Sequence, residues 1–272
     1  MEEYISDNSL YIRSKNNSMI NRKMIGRVLG MLLFIELGMF LLCAGVSAGY
    51  GESDYKYFLY TCIINAVVGG LLLLYGRGAE NKMSRRDGYC VVTLSWVFFT
   101  FFGMLPFYFS GSIDTITNAF FETMSGFTTT GATILDDIES LSHGMLFWRS
   151  LTQWIGGLGI VFFTIAILPI FTTGGVQLFS AESTGVTHDR THPKINVMAK
   201  WLWTIYLVLT VSETVLLMFG GMSLFDAICQ SFATTATGGY STKQNSISYW
   251  NSPYIEYVVA IFMIVSSINF SL

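Results

Sequence analysis

Long apolar stretches separated by short polar segments dominate the chain. Five of these stretches are long enough to cross a hydrocarbon layer about 30 Å thick as helices, which takes about 20 residues each. A further stretch begins at Tyr254 and is still apolar at Leu272, so we expect its helix to be truncated there. The five complete stretches are Gly26 to Ala48, Tyr57 to Tyr75, Tyr89 to Phe109, Met145 to Phe171 and Val197 to Phe219. The pattern predicts an all-α integral membrane protein.

Composition agrees with this pattern and excludes several classes of function. Of the 272 residues, 52% are hydrophobic and 12% are charged, which is too few charged side chains for a water-soluble globule. A net charge of -3 argues against nucleic acid as a partner, because phosphate binding needs a basic surface. The four cysteines fall in apolar runs without paired spacing, and no hydrolase or P-loop motif occurs. We therefore expect no enzyme, no covalently bound cofactor and no transition-metal site.

Basic residues concentrate in the amino-terminal tail, in the loop after the second stretch and in the loop before the fifth. The positive-inside rule places these three segments, and the amino terminus, in the cytoplasm. The opposite side collects acidic residues and holds few basic ones, namely Lys56, Arg149 and Lys243. Such an acidic outer face concentrates cations. Trp148 lies near a predicted helix end, where indole rings favour the headgroup level.

Two shorter apolar segments reach membrane depth without being long enough to cross it. These are Thr115 to Phe127 and Ser223 to Ala233, and each is followed by a Thr/Gly-rich run, Thr128 to Thr133 and Thr234 to Thr242. Irregular backbone at this depth is tolerated only where it faces protein or a watery cavity. The two units align without gaps, so the chain contains an internal repeat of a helix, a re-entrant short helix, a Thr/Gly loop and a helix.

A Thr/Gly loop at membrane depth favours coordination of a cation by backbone carbonyls. A bare cation in a medium of low dielectric must have its water shell replaced, and carbonyls do this without adding charge. Gly131, Gly238 and Gly239 permit the positive φ angles that turn successive carbonyls toward one axis. The short helix ahead of each loop adds partial negative charge at its carboxyl end. The sequence therefore predicts a cation pathway.

Three runs of sequence resemble the TrkH-type potassium transporters, a superfamily that includes TrkG, KtrB and the fungal Trk proteins. They are FFETMSGFTTTGATIL from Phe120 to Leu135, FWRSLTQWIGGLGIVFFTIAILP from Phe147 to Pro169, and FDAICQSFATTATGGYST from Phe225 to Thr242. The resemblance covers nearly all of the chain beyond the polar first 20 residues or so. It implies four channel-like repeats around a central potassium pathway, of which this sequence contains two.

The resemblance also implies a domain organisation. Residues 1–24 form a cytoplasmic tail, and residues 25–88 form two leading transmembrane helices and a loop. The first pore repeat covers residues 89–195 with a filter at 128–131, and the second covers 196–272 with a filter at 236–239. The implied function is potassium uptake across the bacterial inner membrane. Implied partners are membrane lipid, a cytoplasmic nucleotide-binding TrkA-like subunit and a second copy of the full-length protein.

Carried over by residue, the resemblance assigns a selectivity filter that binds potassium. The assigned residues are Thr128, Thr129, Thr130, Gly131, Ala236, Thr237, Gly238 and Gly239. Either Gly238 or Gly239 can align with Gly131. Glu122 and its counterpart Gln230 lie on the short helices, and we favour filter support by hydrogen bonding over direct ion ligation. For Glu36 and Glu213, inside the long stretches, we favour hydrogen bonds between helices.

Two other functions stay open at this point. The chain is either a carrier for another cation, since discontinuous helices also build carrier sites, or a non-conducting fragment or scaffold, because it has two repeats where the family has four.

Overall fold

The computed structural model describes residues 20–79, 85–159 and 195–268, and over these ranges it is helical with no strands. The helices are α1 (Arg22–Gly49), α2 (Tyr55–Tyr75), α3 (Arg85–Gly103), α4 (Leu105–Phe109), α5 (Ile116–Phe127), α6 (His143–Gly157), α7 (Ile195–Phe219), α8 (Leu224–Thr235) and α9 (Pro253–Ser266), with a short 3-10 helix at Ser246–Trp250. The predicted all-α membrane fold is confirmed.

Four helical segments in the described ranges are long and apolar enough to cross a membrane: Arg22–Gly49, Tyr55–Tyr75, Arg86–Phe109 and Trp201–Phe219. They correspond to the first, second, third and fifth predicted stretches. The fourth predicted stretch is described only in its first part, as α6. The rest of that stretch, most of the amino-terminal tail and the last four residues lie outside the described residues.

The third predicted stretch differs from a continuous helix, because α3 ends at Gly103 and α4 begins at Leu105. The interruption precedes Pro106, which has no N–H group and whose ring crowds the preceding turn. The indole Nε1 of Trp148 donates to the carbonyl of Gly103 at 2.9 Å. Trp148 is fully buried, with its ring 4.6 Å from that of Phe40. It therefore lies in the core of the helical bundle, whereas its position near a helix end predicted the headgroup level.

The short helices α5 and α8 have the same length and matching ends. Each has 12 residues, and α8 begins and ends 108 residues after α5. The hydroxyl of Thr115 accepts from the N–H of Asn118 at 3.2 Å, and the hydroxyl of Ser223 accepts from the N–H of Asp226 at 3.1 Å. These equivalent caps satisfy amino-terminal N–H groups of both helices. The channel-like repeat predicted from the sequence is present in both copies.

Packing places α6 against both short helices. It contacts α5 and α8, while α1 packs on α2, α3 and α6, and α7 packs on α8 and α9. Buried acids join neighbouring helices by hydrogen bonds, as expected: Asn65 of α2 donates to Glu36 of α1 at 3.0 Å. Likewise, Thr235 at the end of α8 donates to Glu213 of α7 at 3.4 Å. The helical arrangement thus brings the two Thr/Gly loops to the same region, beside α6.

Candidate ion-coordinating site

The loops that follow α5 and α8 share an unusual backbone conformation. In the first loop φ is 53° at Thr129 and 73° at Gly131, and in the second it is 54° at Thr237 and 87° at Gly239. The residues that precede each threonine have negative φ, -79° at the first loop and -78° at the second. The sign of φ therefore alternates along both loops. Alternation of this kind lets successive carbonyls face one side of the chain and the N–H groups the other.

The shared conformation fixes the register between the two loops. Gly131 corresponds to Gly239, because both have positive φ, whereas Gly238 has negative φ. Position 238 favours glycine for a different reason, because a Cβ there would collide with the side-chain amide of Gln153. The alternative alignment of Gly131 with Gly238, which the sequence left open, does not match the backbone.

The positive φ angles at Thr129 and Thr237 were not predicted from the sequence. A β-branched residue in this region is a genuine outlier, and such a conformation costs about 1–3 kcal/mol. It persists only where the surrounding structure determines it, and such outliers cluster at binding and active sites. Its occurrence at the same position of both repeats makes the two loops the candidate functional region.

The N–H groups of the first loop are satisfied by the helix that precedes it. The N–H of Thr129 donates to the carbonyl of Gly126 at 3.0 Å, and that of Thr130 donates to the carbonyl of Ser125 at 3.0 Å. The second loop repeats this pattern. The N–H of Thr237 donates to Thr234 at 2.9 Å, and that of Gly238 donates to Ala233 at 2.8 Å.

The carbonyl groups of the two loops differ from the N–H groups in their hydrogen bonding. Within the described part of the chain, no hydrogen bond is accepted by a carbonyl of residues 128–131 or 236–239. Carbonyls at membrane depth need a partner, which protein, water or a cation can supply. The loops therefore present unengaged carbonyl oxygens and no carboxylates, which is a donor set suited to a cation with a modest charge.

Glu122 of α5 holds the chain just after the first loop. It is buried, and its carboxylate accepts hydrogen bonds from the hydroxyl of Thr133 and the N–H of Ile134, both at 3.0 Å. The Nε of Arg149 donates to the same carboxylate at 2.8 Å. All its described contacts point into the protein. They favour the bracing hypothesis over direct ion ligation.

Arg149 connects the first repeat to the second. Besides Glu122, its guanidinium donates to the carbonyl of Ser241 at 3.0 Å and lies 3.5 Å from the centre of the Tyr240 ring. The sequence placed Arg149 on the outer side of the membrane, and in the structure its side chain is buried, with 2% of its surface exposed. The paired carboxylate and the hydrogen bond compensate the charge that burial would otherwise penalise.

Tyr240, directly after the second loop, reaches back to the first repeat. Its hydroxyl lies 2.9 Å from the carbonyl oxygen of Glu122 and 3.2 Å from that of Ala132. The phenol O–H donates, because both of these partners are carbonyl oxygens, which only accept. The backbone N–H of Tyr240 donates to Oε1 of Gln153 at 3.0 Å. Tyr240 therefore ties the end of the second loop to α5 and α6.

Gln230, the counterpart of Glu122, makes different contacts. Its Nε2 donates to the hydroxyl of Thr234 in the same helix at 3.3 Å. Its Oε1 has no hydrogen-bond partner among the described residues. The chain just after the second loop is held by α6 of the first repeat, through Arg149 and Gln153. A filter-supporting role for Gln230 stays a prediction.

Glycines of α6 allow this helix to lie directly behind both loops. A Cβ at Gly156 would collide with the carbonyl of Phe127, and a Cβ at Gly157 would lie 2.8 Å from Cα of Ala236. These glycines serve close packing, as small residues at helix interfaces do in membranes.

Sequence reasoning did not single out Arg149 and Gln153 as residues of the site. The available signal was two polar residues one turn apart inside an apolar segment.

Comparison with known proteins agrees with this geometry. A family model described as "TrkH: Cation transport protein" matches residues 55–272. The chain belongs to the TrkH family. TrkH-family relatives include the Trk system potassium uptake protein TrkH of Escherichia coli strain K12, which is 42% identical over 250 residues. That alignment covers 91% of this chain and 52% of the relative. Protein TrkG of the same strain is 32% identical over 92% of the chain and 52% of its own length.

A solved structure shows the same relationship. The crystal structure of the potassium transporter TrkH from Vibrio parahaemolyticus matches with a TM-score of 0.78 and 34% sequence identity. The match covers 92% of this chain and 50% of that one. The chain thus spans about half the length of the TrkH relatives that it matches. It is a multi-pass membrane protein of a family named for transport and not for catalysis.

Proposed function

We propose that this chain supplies two of the carbonyl-lined loops of a potassium uptake pathway in the bacterial inner membrane. The observation that carries the proposal is the pair of loops at 128–131 and 236–239, with alternating φ and unengaged carbonyls. A ring of such carbonyls can replace the hydration shell of a monovalent cation. The names of the relatives and of the solved structure support potassium as the ion.

The filter residues in this proposal are Thr128 to Gly131 and Ala236 to Gly239, with Glu122 and Gln230 as their supports. The repeats that hold them cover residues 89–195 and 196–272, after the tail of residues 1–24 and the leading helices of 25–88. Potassium is the transported substrate and is not a resident cofactor. The absence of carboxylates from both loops suits a monovalent ion better than a divalent one.

The amino terminus lies in the cytoplasm in this proposal, because the basic segments cluster on that side of the spanning helices. The test is the accessibility of single introduced cysteines. A cysteine at Ser53, between α1 and α2, is expected to react with an impermeant thiol reagent in intact cells, and one in the amino-terminal tail only after lysis. The reverse pattern would contradict the orientation.

Partners of the complete protein follow the family resemblance. We propose a homodimer of the full-length protein with a cytoplasmic nucleotide-binding subunit of the TrkA type, in contact with membrane lipid. Co-purification of a differently tagged second copy tests the dimer, and capture of a TrkA-type protein from the same cells tests the subunit. A strictly monomeric, unaccompanied protein would contradict both.

The experiment that tests the filter uses the complete gene product in a host that lacks its own potassium uptake systems. The unsubstituted protein is expected to restore growth at low potassium, and Gly131→Asp is expected to abolish it while the protein remains in the membrane. Gly111→Asp is the matched control, because Gly111 also has positive φ but lies in an open outer loop. Restored growth with Gly131→Asp would remove the assignment.

A further inference from the structure

A polar face of α6 lies between the two loops. Arg149 and Gln153 are one helical turn apart and so project from the same side of the helix. Arg149 is 2% exposed and Gln153 is fully buried. Buried polar groups at membrane depth are costly unless each one has partners. The contacts of these two side chains must therefore compensate the cost of burying them.

The amide of Gln153 contacts the chain at the second loop and lies close to the first. Its Oε1 accepts from the N–H of Tyr240 at 3.0 Å, and the amide fills the space where a Cβ of Gly238 would stand. A Cβ built on Gly131 would lie 3.8 Å from Nε2 of Gln153 and would collide with the carbonyl of Gly238. The glycines of the two loops are therefore in backbone contact at the point where the Gln153 amide meets them.

The Nε2 donor of Gln153 has no hydrogen-bond partner among the described residues. A buried amide hydrogen without an acceptor is energetically costly. The loop carbonyls beside it are also without a hydrogen bond. An unpartnered amide N–H thus lies at the junction of the two loops, beside Gly238 and near Gly131.

Arg149 fixes the same two elements one turn away. It pairs with Glu122, which holds the chain after the first loop, and it donates to the carbonyl of Ser241 after the second loop. A guanidinium can do both at once because its donors form a rigid planar fork. Lysine would keep the charge but could not reproduce this geometry.

Among the described residues, the second repeat has no polar pair equivalent to Arg149 and Gln153. The positions 108 residues after Arg149 and Gln153 are Tyr257 and Ile261 in α9, which are 71% and 56% exposed. Neither carries an amide or a guanidinium. One face of α6 therefore serves both loops.

We propose that Gln153 and Arg149 are positioning residues that set the second loop against the first and so determine how strictly the pathway discriminates among monovalent cations. The inference rests on the proposed function and deepens it. Discrimination depends on the number and field of the carbonyls around the ion, and each loop supplies only part of that set. The relative placement of the loops then decides whether a smaller ion is as well coordinated as a larger one.

The test compares rubidium and sodium uptake by the complete gene product in liposomes. Gln153→Met keeps the length of the side chain but removes both polar groups. We expect it to lower the ratio of rubidium to sodium uptake about tenfold, because the N–H of Tyr240 loses its acceptor. Gln244→Met is the matched control, since Oε1 of Gln244 accepts from the N–H of Ile138 at 3.0 Å, also between the repeats, but in the outer loops. The control is expected to leave the ratio unchanged.

A second variant, Arg149→Lys, protects the test against a failure of Gln153→Met to fold, because it conserves the buried charge. It is expected to shift the ratio in the same direction. Folded variants that discriminate as well as the unsubstituted protein would overturn the positioning role and leave the proposed function intact. An unsubstituted protein that takes up both ions equally would overturn the proposed function and this inference with it.

Discussion

Arg149 and Glu122 form an ion pair in the protein interior, with Nε 2.8 Å from Oε1 and neither side chain more than 2% exposed. The pair joins α6 to α5, and through the carbonyl of Ser241 it reaches the end of the second loop. Burial of two charges is costly, and only good geometry with further hydrogen bonds offsets it. Thr133 and Ile134 supply such bonds to the carboxylate.

Removal of one member of this pair is expected to destabilise the protein strongly. Arg149→Met leaves the Glu122 carboxylate buried without its partner, and such a change costs about 3–5 kcal/mol. The double variant Glu122→Gln with Arg149→Met leaves no uncompensated charge, so it is expected to be more stable than Arg149→Met alone. Thermal unfolding in detergent measures the order. A double variant that is less stable than Arg149→Met would show that the charge pairing is not what matters.

Gly239→Ala is expected to reduce potassium uptake severely. Gly239 has φ of 87° with open space around it, so a methyl group adds strain in the loop without a collision. Gly221→Ala is the control, because Gly221 has φ of 96° and equally open surroundings but lies outside the loop. Uptake at matched protein levels is the measurement. Equal losses in the two variants would mean that backbone strain alone, wherever it lies, explains the effect.

Thr237→Gly tests whether the strained threonine is needed for discrimination. Glycine relieves the left-handed conformation, worth about 1–2 kcal/mol, but it loses more entropy on folding, so stability is expected to change little. The loop becomes less rigid, and the preference for rubidium over sodium is expected to fall. Asn251→Gly, at φ of 45° outside the loops, also removes a side chain from the left-handed region, with a smaller relief because asparagine tolerates that region, and should leave ion preference unchanged. An unaltered preference in Thr237→Gly would leave the strain without a role in discrimination.

Gly156→Ala is expected to be destabilising, because its Cβ would collide with the carbonyl of Phe127, and backbone cannot move aside as a flexible side chain can. Gly45→Ala in α1 is the comparison. Gly45 has nothing within 4 Å of an added Cβ, and alanine favours the helix by about 1 kcal/mol. Melting temperatures of the two variants should shift in opposite directions. A neutral Gly156→Ala would show that α6 is not packed tightly behind the first loop.

The sequence predicted the elements of the fold well, because membrane thickness sets the length of each. The ends of α5 and α8 follow from apolar segments too short to cross, each preceded by a capping Thr115 or Ser223. The interruption at Met104 was also predictable in principle, since Pro106 follows two residues later. Local rules suffice for features of this kind.

The contacts of the site were not predictable in the same way, because they join residues far apart in sequence. The sequence placed Arg149 on the outer side without a partner, whereas its guanidinium donates to the carbonyl of Ser241 in the other repeat, 92 residues away. The positive φ of Thr129 contradicts the intrinsic preference of threonine. Only the packed environment imposes it. A partner for Arg149 could be suspected from the sequence, because a charge lies in an apolar segment. No local signal indicates the positive φ of Thr129.

The most direct measurement of the central claim is uptake of radioactive rubidium by liposomes that contain the complete gene product, in competition with unlabelled potassium or sodium at equal concentrations. If the paired loops form a potassium-selective carbonyl filter, potassium will suppress rubidium uptake in proportion to its concentration and sodium will have little effect. Equal suppression by both ions, or no uptake above that of empty liposomes, would contradict the claim.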